Sequence, residues 1–501
     1  MKPLEPGQRW SLLVVALVGL VLFHAWYSQF NHDEITHLHG AWLIAQGQKP
    51  YADFLEQHHP MLGYLFAPAV GWFGSVRGLV FAARLFELGC ILALLFSFAR
   101  LLRRVYPAVP VRWPLLLLVT SFMFVRSSLE VRADPLMNAL VYAGLLNLTG
   151  FLQERSPWRA LLAGAFFGAA AAVLQKALVV LALVGGALLL LALLHRRDPA
   201  RRNRILLGSA ALLGAALVPL AALFAFIRSQ GFWQDFWFWN YEFNRYFYTQ
   251  AVLGKHFSVL ASIGLSALVN PVLWLAGCGG IVLCAGELWR GRKTVAGTGD
   301  ARIALLVVAL GYLLFLGFNR FPLDQYFIVV LPLLALFSAE VFSRAEAAGG
   351  AARAFLQRSV LFMAFVLACI LVLYPSNRPQ REVQDHVLAQ TVPGQAIFVP
   401  PPFHPIFRPD SSYFFYNGTL VGDAYVDYCR LHPECPGRKQ DLDEKRWTSA
   451  PPAFVYLDEP EYFPLRWRER SQGYEETSIP RLLRAPKAPV KGRRGWPRRG
   501  G

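Results

Sequence analysis

Apolar residues in this chain come in runs, not in stripes. Nearly charge-free stretches occupy residues 10–32, 79–99, 113–126, 135–153, 160–175, 177–194, 205–227, 260–286, 303–318, 325–339 and 359–375. Alternation, or a stripe at the helical period, would mark elements with one wet face; unbroken runs mark elements with none. A helix of about 20 such residues crosses the hydrocarbon of a bilayer, so the pattern predicts eleven transmembrane helices. The first follows Lys2 and Arg9, as a secretory signal would. It ends in WYSQFNHD without a small-residue cleavage site, so it is expected to remain as an anchor.

Three stretches need separate treatment. The second run carries Arg84 and Glu87, three residues apart and expected to pair on one helix face. The third is short, so its ends are expected to depend on Arg112 and Arg126 reaching water. Residues 60–74, PMLGYLFAPAVGWFG, are too few to span and are interrupted by Gly and Pro, which predicts an interfacial or re-entrant segment.

Charge supports leaving 60–74 out. With a cytoplasmic N-terminus, the short inner segments carry 20 Lys and Arg. The outer loops carry 9: Lys49, Arg77, Arg126, Arg132, Lys176, Arg228, Arg245, Lys255 and Arg320. An extra span at 60–74 would move 18 of the 20 outside, against the positive-inside rule. Asp33, Glu34, Asp53, Glu56, Glu130, Asp134, Asp235, Glu242 and Asp324 then all face the outer side.

Composition agrees. The chain has 501 residues, 55% of them hydrophobic, and a mean hydropathy of +0.37, too apolar for an ordinary soluble domain. The net charge of +17 follows from topology and from the terminal KAPVKGRRGWPRRGG, and calls for no nucleic acid. The expected organisation is a transmembrane domain over 1–375, a small extracytoplasmic α/β domain over 376–480, and a disordered basic tail over 481–501. Four cysteines (90, 278, 284, 369) fall inside spans; Cys429 and Cys435, outside, are expected to form a short disulfide, with two free thiols the alternative.

The candidate chemistry sits just past the first span, in NHDEITHLHGAWLIAQGQKPYADFLEQHHPMLGY (31–64). Charge at a membrane boundary is costly unless it faces water or a substrate. Asp33 and Glu34 open this segment, read as a loop, and His32, His37, His39, His58 and His59 crowd it without clean metal-ligand spacing. A second outer loop holds Glu130, Arg132 and Asp134, with Pro135 suited to a first helical turn. There Arg132 and Asp134 form either a structural ion pair or part of a site. Gln175-Lys176 is either a turn with a snorkelling Lys or a phosphate contact. The aromatic segment 232–248, carrying Arg245, reads mostly as a membrane-interface belt, with sugar stacking the alternative. Asp441-Leu-Asp443 imitates a metal-binding D-x-D but lies in a solvated charge run.

These motifs resemble the C-type glycosyltransferase superfamily (GT-C), especially protein O-mannosyltransferases, the lipid A aminoarabinose transferase and kindred bacterial envelope enzymes. The resemblance covers roughly 10–345 and rests on D-E-x₃-H-L-x-x-A-W-L-I-A-x-G-x-x-P-Y-x-D-F, H-H-P-x-x-G-Y-L and the Gly74 to Arg84-Leu85 spacing. It implies a mainly α, polytopic fold acting on a polyprenyl-phosphate-linked sugar at the outer face of the cell's inner membrane. By position, Asp33 matches the catalytic acid heading the family's D-E pair, with Glu34 its partner, and Asp134-Pro135 matches the second-loop acid. His59-Pro60 stands where relatives hold the carrier phosphate, and Tyr326 opens a late span as theirs does. Two departures concern the donor sugar: His37 replaces a Tyr, and a His replaces the Lys of some members.

Chemistry leads to the same reaction. A lipid phosphate is a good leaving group, so one carboxylate base and a cationic clamp suffice; a glycosidase needs two carboxylates. Asp33 is the expected base. Arg132, Lys176, His59 and Arg245 are the expected phosphate contacts, and Glu130 and Tyr326 further binding residues. No cofactor is expected, with a divalent metal left open. A polytopic transporter and an envelope-polymer ligase or polymerase remain alternatives.

Overall fold

The computed structural model describes residues 6–251, 259–290, 298–318, 324–415, 420–432, 435, 439–457 and 471–486. Lys255, Arg320 and the basic stretch 487–501 lie outside them. The chain enters through α1 (Pro6–Tyr27), then two short helices outside the bundle, α2 (His32–Ala45) and α3 (Met61–Val70). The bundle continues with α4 (Val76–Val105), α5 (Arg112–Val119), α6 (Phe122–Leu129), α7 (Ala133–Glu154), α8 (Pro157–Val173), α9 (Ala177–Leu194) and α10 (Pro199–Gln230). An irregular stretch follows, α11 (Trp233–Trp237) and α12 (Asn244–Tyr246) joined by π-helical turns at Phe238–Phe243 and Phe247–Ala251. The last bundle helices are α13 (Val259–Val269), α14 (Pro271–Trp289), α15 (Thr298–Phe318), α16 (Phe327–Ala348) and α17 (Gly350–Leu373).

Among the described residues, eight helices are long and apolar enough to cross a membrane, and the chain is a multi-pass membrane protein. The expected third span is not one helix. It breaks between α5 and α6, where Ser121 is extended, and the eighth breaks at Asn270 between α13 and α14. Broken backbone survives at membrane depth only where protein satisfies it. Thr120 Oγ1 and Asn270 Nδ2 both donate to Leu117 O, at 3.2 and 3.3 Å, and the Asn270 side chain also caps α14 by accepting from Leu273 N at 3.1 Å.

Loop ends meet as the eleven-span order requires. At one end Arg104 and Arg159 both pair with Glu154, Arg201 and His195 with Asp300, and Arg302 and Arg344 with Glu287. At the other end Arg126 meets Asp324, and Lys176 meets Asp134. Inside, α16 is buried along nearly its whole length against α14, α5 and α17.

Helices α8 and α10 touch backbone to backbone. A Cβ on Gly164 would stand 2.0 Å from Leu212 O, and one on Gly168 would stand 2.2 Å from Ala216 O. In lipid, association depends on such close packing between small residues. Gly168→Val is therefore expected to destabilise the bundle by at least about 1–3 kcal/mol, the usual cost of overpacking. Thermal unfolding of the detergent-solubilised protein checks this; an unchanged midpoint would contradict the close contact.

Beyond the bundle lie α18 (Arg378–Gln390), α19 (Leu420–Leu431), α20 (Lys439–Ser449) and an antiparallel sheet of β1 (Phe454–Tyr456), β2 (Glu475–Glu476) and β3 (Leu482–Arg484), ordered β1-β3-β2. Strand β3 falls inside the stretch 481–501 expected as tail: Leu482 is buried and its neighbours hold the sheet's centre. Cys429 and Cys435 form a disulfide. The aromatic segment is a second correction. Phe232, Phe236, Phe238, Trp239, Phe243 and Phe247 are buried, packed with Tyr51, Tyr413, Phe414 and Tyr425 into a second core between loops of the bundle and the C-terminal domain. A belt residue keeps one face in lipid; these do not.

Candidate active site

The site is built on the first turn of α2, which sequence reading took for loop. Asn31 is the reason. Its side-chain oxygen accepts from Asp33 N at 2.9 Å while Glu34 Oε2 accepts from Asn31 N at 2.8 Å. This reciprocal capping box satisfies two otherwise orphaned donors.

Glu34 is wholly buried and fully committed. Its carboxylate accepts from Arg84 Nε at 2.7 Å, Arg84 Nη2 at 2.6 Å and Val131 N at 3.2 Å. The remaining Arg84 donors reach Ala25 O, Ser28 Oγ and Gln29 O at 2.8, 2.9 and 3.0 Å. Arg84 thus joins the end of α1 to the start of α2 and does not pair with Glu87, as the spacing predicted. The fork of Arg84 finds a bidentate carboxylate and three carbonyl or hydroxyl acceptors in one place. Glu87 is left buried with neither carboxylate oxygen hydrogen-bonded.

Asp33, beside it, is partly open to solvent: its side chain is 32% exposed and pairs with Arg132 at 2.5 Å. Burial by itself would raise the Asp33 carboxyl, but Arg132, with His32 and His37, outweighs it and holds the group well below the usual carboxylate range. Arg132 also meets Glu130 at 3.3 Å and Asp134 at 3.7 Å. These carboxylates overcome the cost of burying Arg132 and raise its pKa. Glu130 goes the other way, raised mainly by burial despite Arg132 and Arg126. It accepts from Asn31 Nδ2 at 2.9 Å, tying the second loop to the helix cap.

Asp134 lies in the first turn of α7, where the helix dipole favours an anion. It accepts from Lys176 Nζ at 3.0 Å. The same ammonium stands 4.0 Å from the centre of the Tyr326 ring. Asp33, Glu130, Arg132, Asp134, Lys176 and Tyr326, distributed over four stretches of sequence, therefore form one cluster at one end of the bundle.

Two expected contacts are not in it. His59 is buried, with Nδ1 against Ala172 O and Nε2 against the Tyr241 hydroxyl, both at 3.1 Å. Burial brings its pKa down to about 4, so it is neutral and offers a phosphate no charge. Arg245 is exposed, in no ion pair among the described residues. The histidines that looked like one cluster diverge: His37 faces His58 with ring centres 5.7 Å apart, while His39 turns to the C-terminal domain. Among the described residues, His39, His404 and Asp410 are the one group of metal-type ligands in close array.

Sequence reading missed Tyr248. Its ring is 38% exposed, yet desolvation first, then neighbouring Tyr326 and Asp33, raise its hydroxyl above the ordinary range. Nothing in a run of aromatics distinguishes this ring from the buried ones.

This architecture is the fold of the C-type membrane glycosyltransferases. The structure of ArnT from Cupriavidus metallidurans bound to undecaprenyl phosphate superimposes with a TM-score of 0.63 over 96% of this chain and 98% of that one, at 14% identity. Its apo state gives 0.61. The apo oligosaccharyltransferase of Archaeoglobus fulgidus gives 0.52 over 91% of this chain and 70% of that one, at 13% identity. No protein-family profile and no curated protein matches the chain by sequence.

Proposed function

We propose that the protein transfers a sugar from a polyprenyl-phosphate carrier to an envelope acceptor (glycan, lipid or protein) at the outer face of the cytoplasmic membrane. The observation that carries this reading is the Asp33–Arg132–Asp134–Lys176 constellation, where acid and base alternate at one end of the helix bundle. The similar ArnT structure holds undecaprenyl phosphate, which supports a carrier of that class.

Asp33 is anionic and partly exposed, so it can accept the proton of an acceptor hydroxyl as that oxygen attacks the anomeric carbon. The C–O bond to phosphate breaks on the opposite face, and one displacement inverts the centre. Arg132 and Lys176 are the cations for the departing phosphate. Both are now held by carboxylates, and a phosphate with more charge and better bidentate geometry competes for them. Drawing Arg132 towards phosphate frees Asp33 to act as base at the moment the donor is in place. Lys176 lies over Tyr326, whose ring offers the sugar a stacking face. Glu34 and Arg84 hold the helix cap and touch no substrate. A transporter would keep its ionisable groups near the membrane midplane; here the paired charges gather at the bundle ends.

A radiolabelled polyprenyl-phosphate sugar incubated with purified protein and envelope acceptors should yield labelled acceptor and free lipid phosphate; no transfer with any such donor would refute the reading. Orientation has its own test. Reporter fusions should place residues 50 and 430 outside and residue 198 inside. A cytoplasmic residue 430 would overturn the outer-face assignment.

A further inference from the structure

His39 stands six residues after Asp33 on α2, about 9 Å further along the axis. Its ring is completely buried, and both nitrogens are engaged by the C-terminal domain. Nδ1 lies 2.7 Å from Ile406 O, and Nε2 lies 2.5 Å from Asp410 Oδ2. His404, also wholly buried, stands on the other side of the same carboxylate, its Nε2 3.2 Å from Asp410 Oδ1.

The protons follow from the partners. A carbonyl only accepts, so His39 Nδ1 carries hydrogen. Its Nε2 then faces an oxygen that also accepts when ionised, so a cation must lie between them. Either a proton or a metal ion meets that need. A zinc ion would bind lone pairs on Nε2 of both histidines, at roughly 2.0–2.1 Å. His404 rules on this. Its Nδ1 accepts from Ile406 N at 2.9 Å, so that nitrogen has no hydrogen and Nε2 has it. A protonated Nε2 has no lone pair for metal; it stands near Asp410 Oδ1 without hydrogen-bond geometry.

The charges agree with that count. Burial alone would raise the Asp410 carboxyl, yet His404 and His39 outweigh it and bring it to about 2. Burial lowers His404, against the opposing pull of Asp410. The His39 ring lies stacked near Trp42 and edge-on to Phe415, with centres 5.6 and 4.8 Å away, and aromatic faces favour a cation.

We propose that His39, protonated on both ring nitrogens, forms with Asp410 and His404 a buried charge latch that fixes the C-terminal domain on α2. Among the described residues, the latch is the direct charged link between that domain and the helix carrying Asp33. Other anchors reach elsewhere: Gln380 bonds to Phe30, Asn377 to Trp26, and Tyr413 to Tyr51. His39, His404 and Asp410 are positioning residues: they hold the segment that presents Asp33. The docking half of the inference is independent of the proposed transfer reaction; its effect on turnover rests on it.

The test is a double-mutant cycle in the full-length protein, read by hydrogen exchange at α2 and at residues 404–410. His39→Gln and Asp410→Asn should each raise exchange there by tenfold or more, and the double variant should lie closer to wild type than the sum of the two. His39→Lys, which keeps the charge, should be milder than His39→Gln. Where transfer is measurable, the singles should lower kcat with KM for the donor nearly unchanged. Additive single effects, or Gln matching Lys, would overturn the charge latch. Wild-type protein gives a second reading if the variants fail to fold. With ¹⁵N-labelled histidine, one solvent-shielded ring must show two protonated nitrogens, and elemental analysis must find no stoichiometric metal. A neutral His39 ring, or a bound metal, refutes the proposal.

Discussion

Asp33→Asn is expected to lower turnover by roughly 10²- to 10⁴-fold, the usual worth of a general base. The amide keeps the size of the side chain and still accepts a hydrogen bond from Arg132, so the helix cap and the second loop should stay in place. Donor binding should change little, because the phosphate contacts assigned here are Arg132 and Lys176. Arg132→Ala should weaken donor affinity as well as rate. The pH profile separates the roles further. A base is lost as pH falls through its pKa, and Arg132 holds that of free Asp33 well below the usual carboxylate range. The acid limb of kcat/KM, which reports the free protein, should therefore lie far down. In the complex the phosphate draws Arg132 away and adds negative charge, so the acid limb of kcat should lie higher. Near wild-type transfer by Asp33→Asn, with Asp134→Asn inactive, would move the base to the second loop.

The second large effect is on folding. Arg84→Met leaves the Glu34 carboxylate at 0% exposure without its bidentate partner. Removing one member of a buried pair commonly costs about 3–5 kcal/mol. Here the loss also releases the carbonyls of Ala25 and Gln29 at the end of α1. Arg84→Met should accordingly show a sharply lower unfolding temperature and a poor yield of folded protein. Arg84→Met combined with Glu34→Gln should recover part of the loss, because an amide tolerates burial better than a lone carboxylate. If Arg84→Met alone were as stable as wild type, Glu34 would not be the anchor of the helix cap and its place in the chemistry would reopen.

Much of this protein is legible one residue after another. The runs of apolar residues mark the chain as a multi-pass membrane protein, because about 20 such residues in a row have one stable environment, and eight helices among the described residues are long and apolar enough to cross. The asymmetry of Lys and Arg set which loops share an end, and the ion pairs at each end of the bundle keep that order. Asp33 and the second-loop acids stood out because charge beside a span is rare. Asn31 and Glu34 even carried the capping-box signature, which was read past in favour of a loop.

Tertiary structure decided the rest, wherever an interaction joins distant positions. Arg84 chose Glu34, 50 residues away, over Glu87 on its own helix, since only the fold brings a carboxylate and three backbone or hydroxyl acceptors to one guanidinium. Of five histidines close in sequence, His37 and His58 face each other while burial neutralised His59 and Asp410 engaged His39. The aromatic segment 232–247 was composed like a membrane belt and much of it became a core, because Tyr413, Phe414, Val421 and Tyr425 of the C-terminal domain cover it. Composition tells what a side chain tolerates; which neighbour arrives is a property of the closed chain.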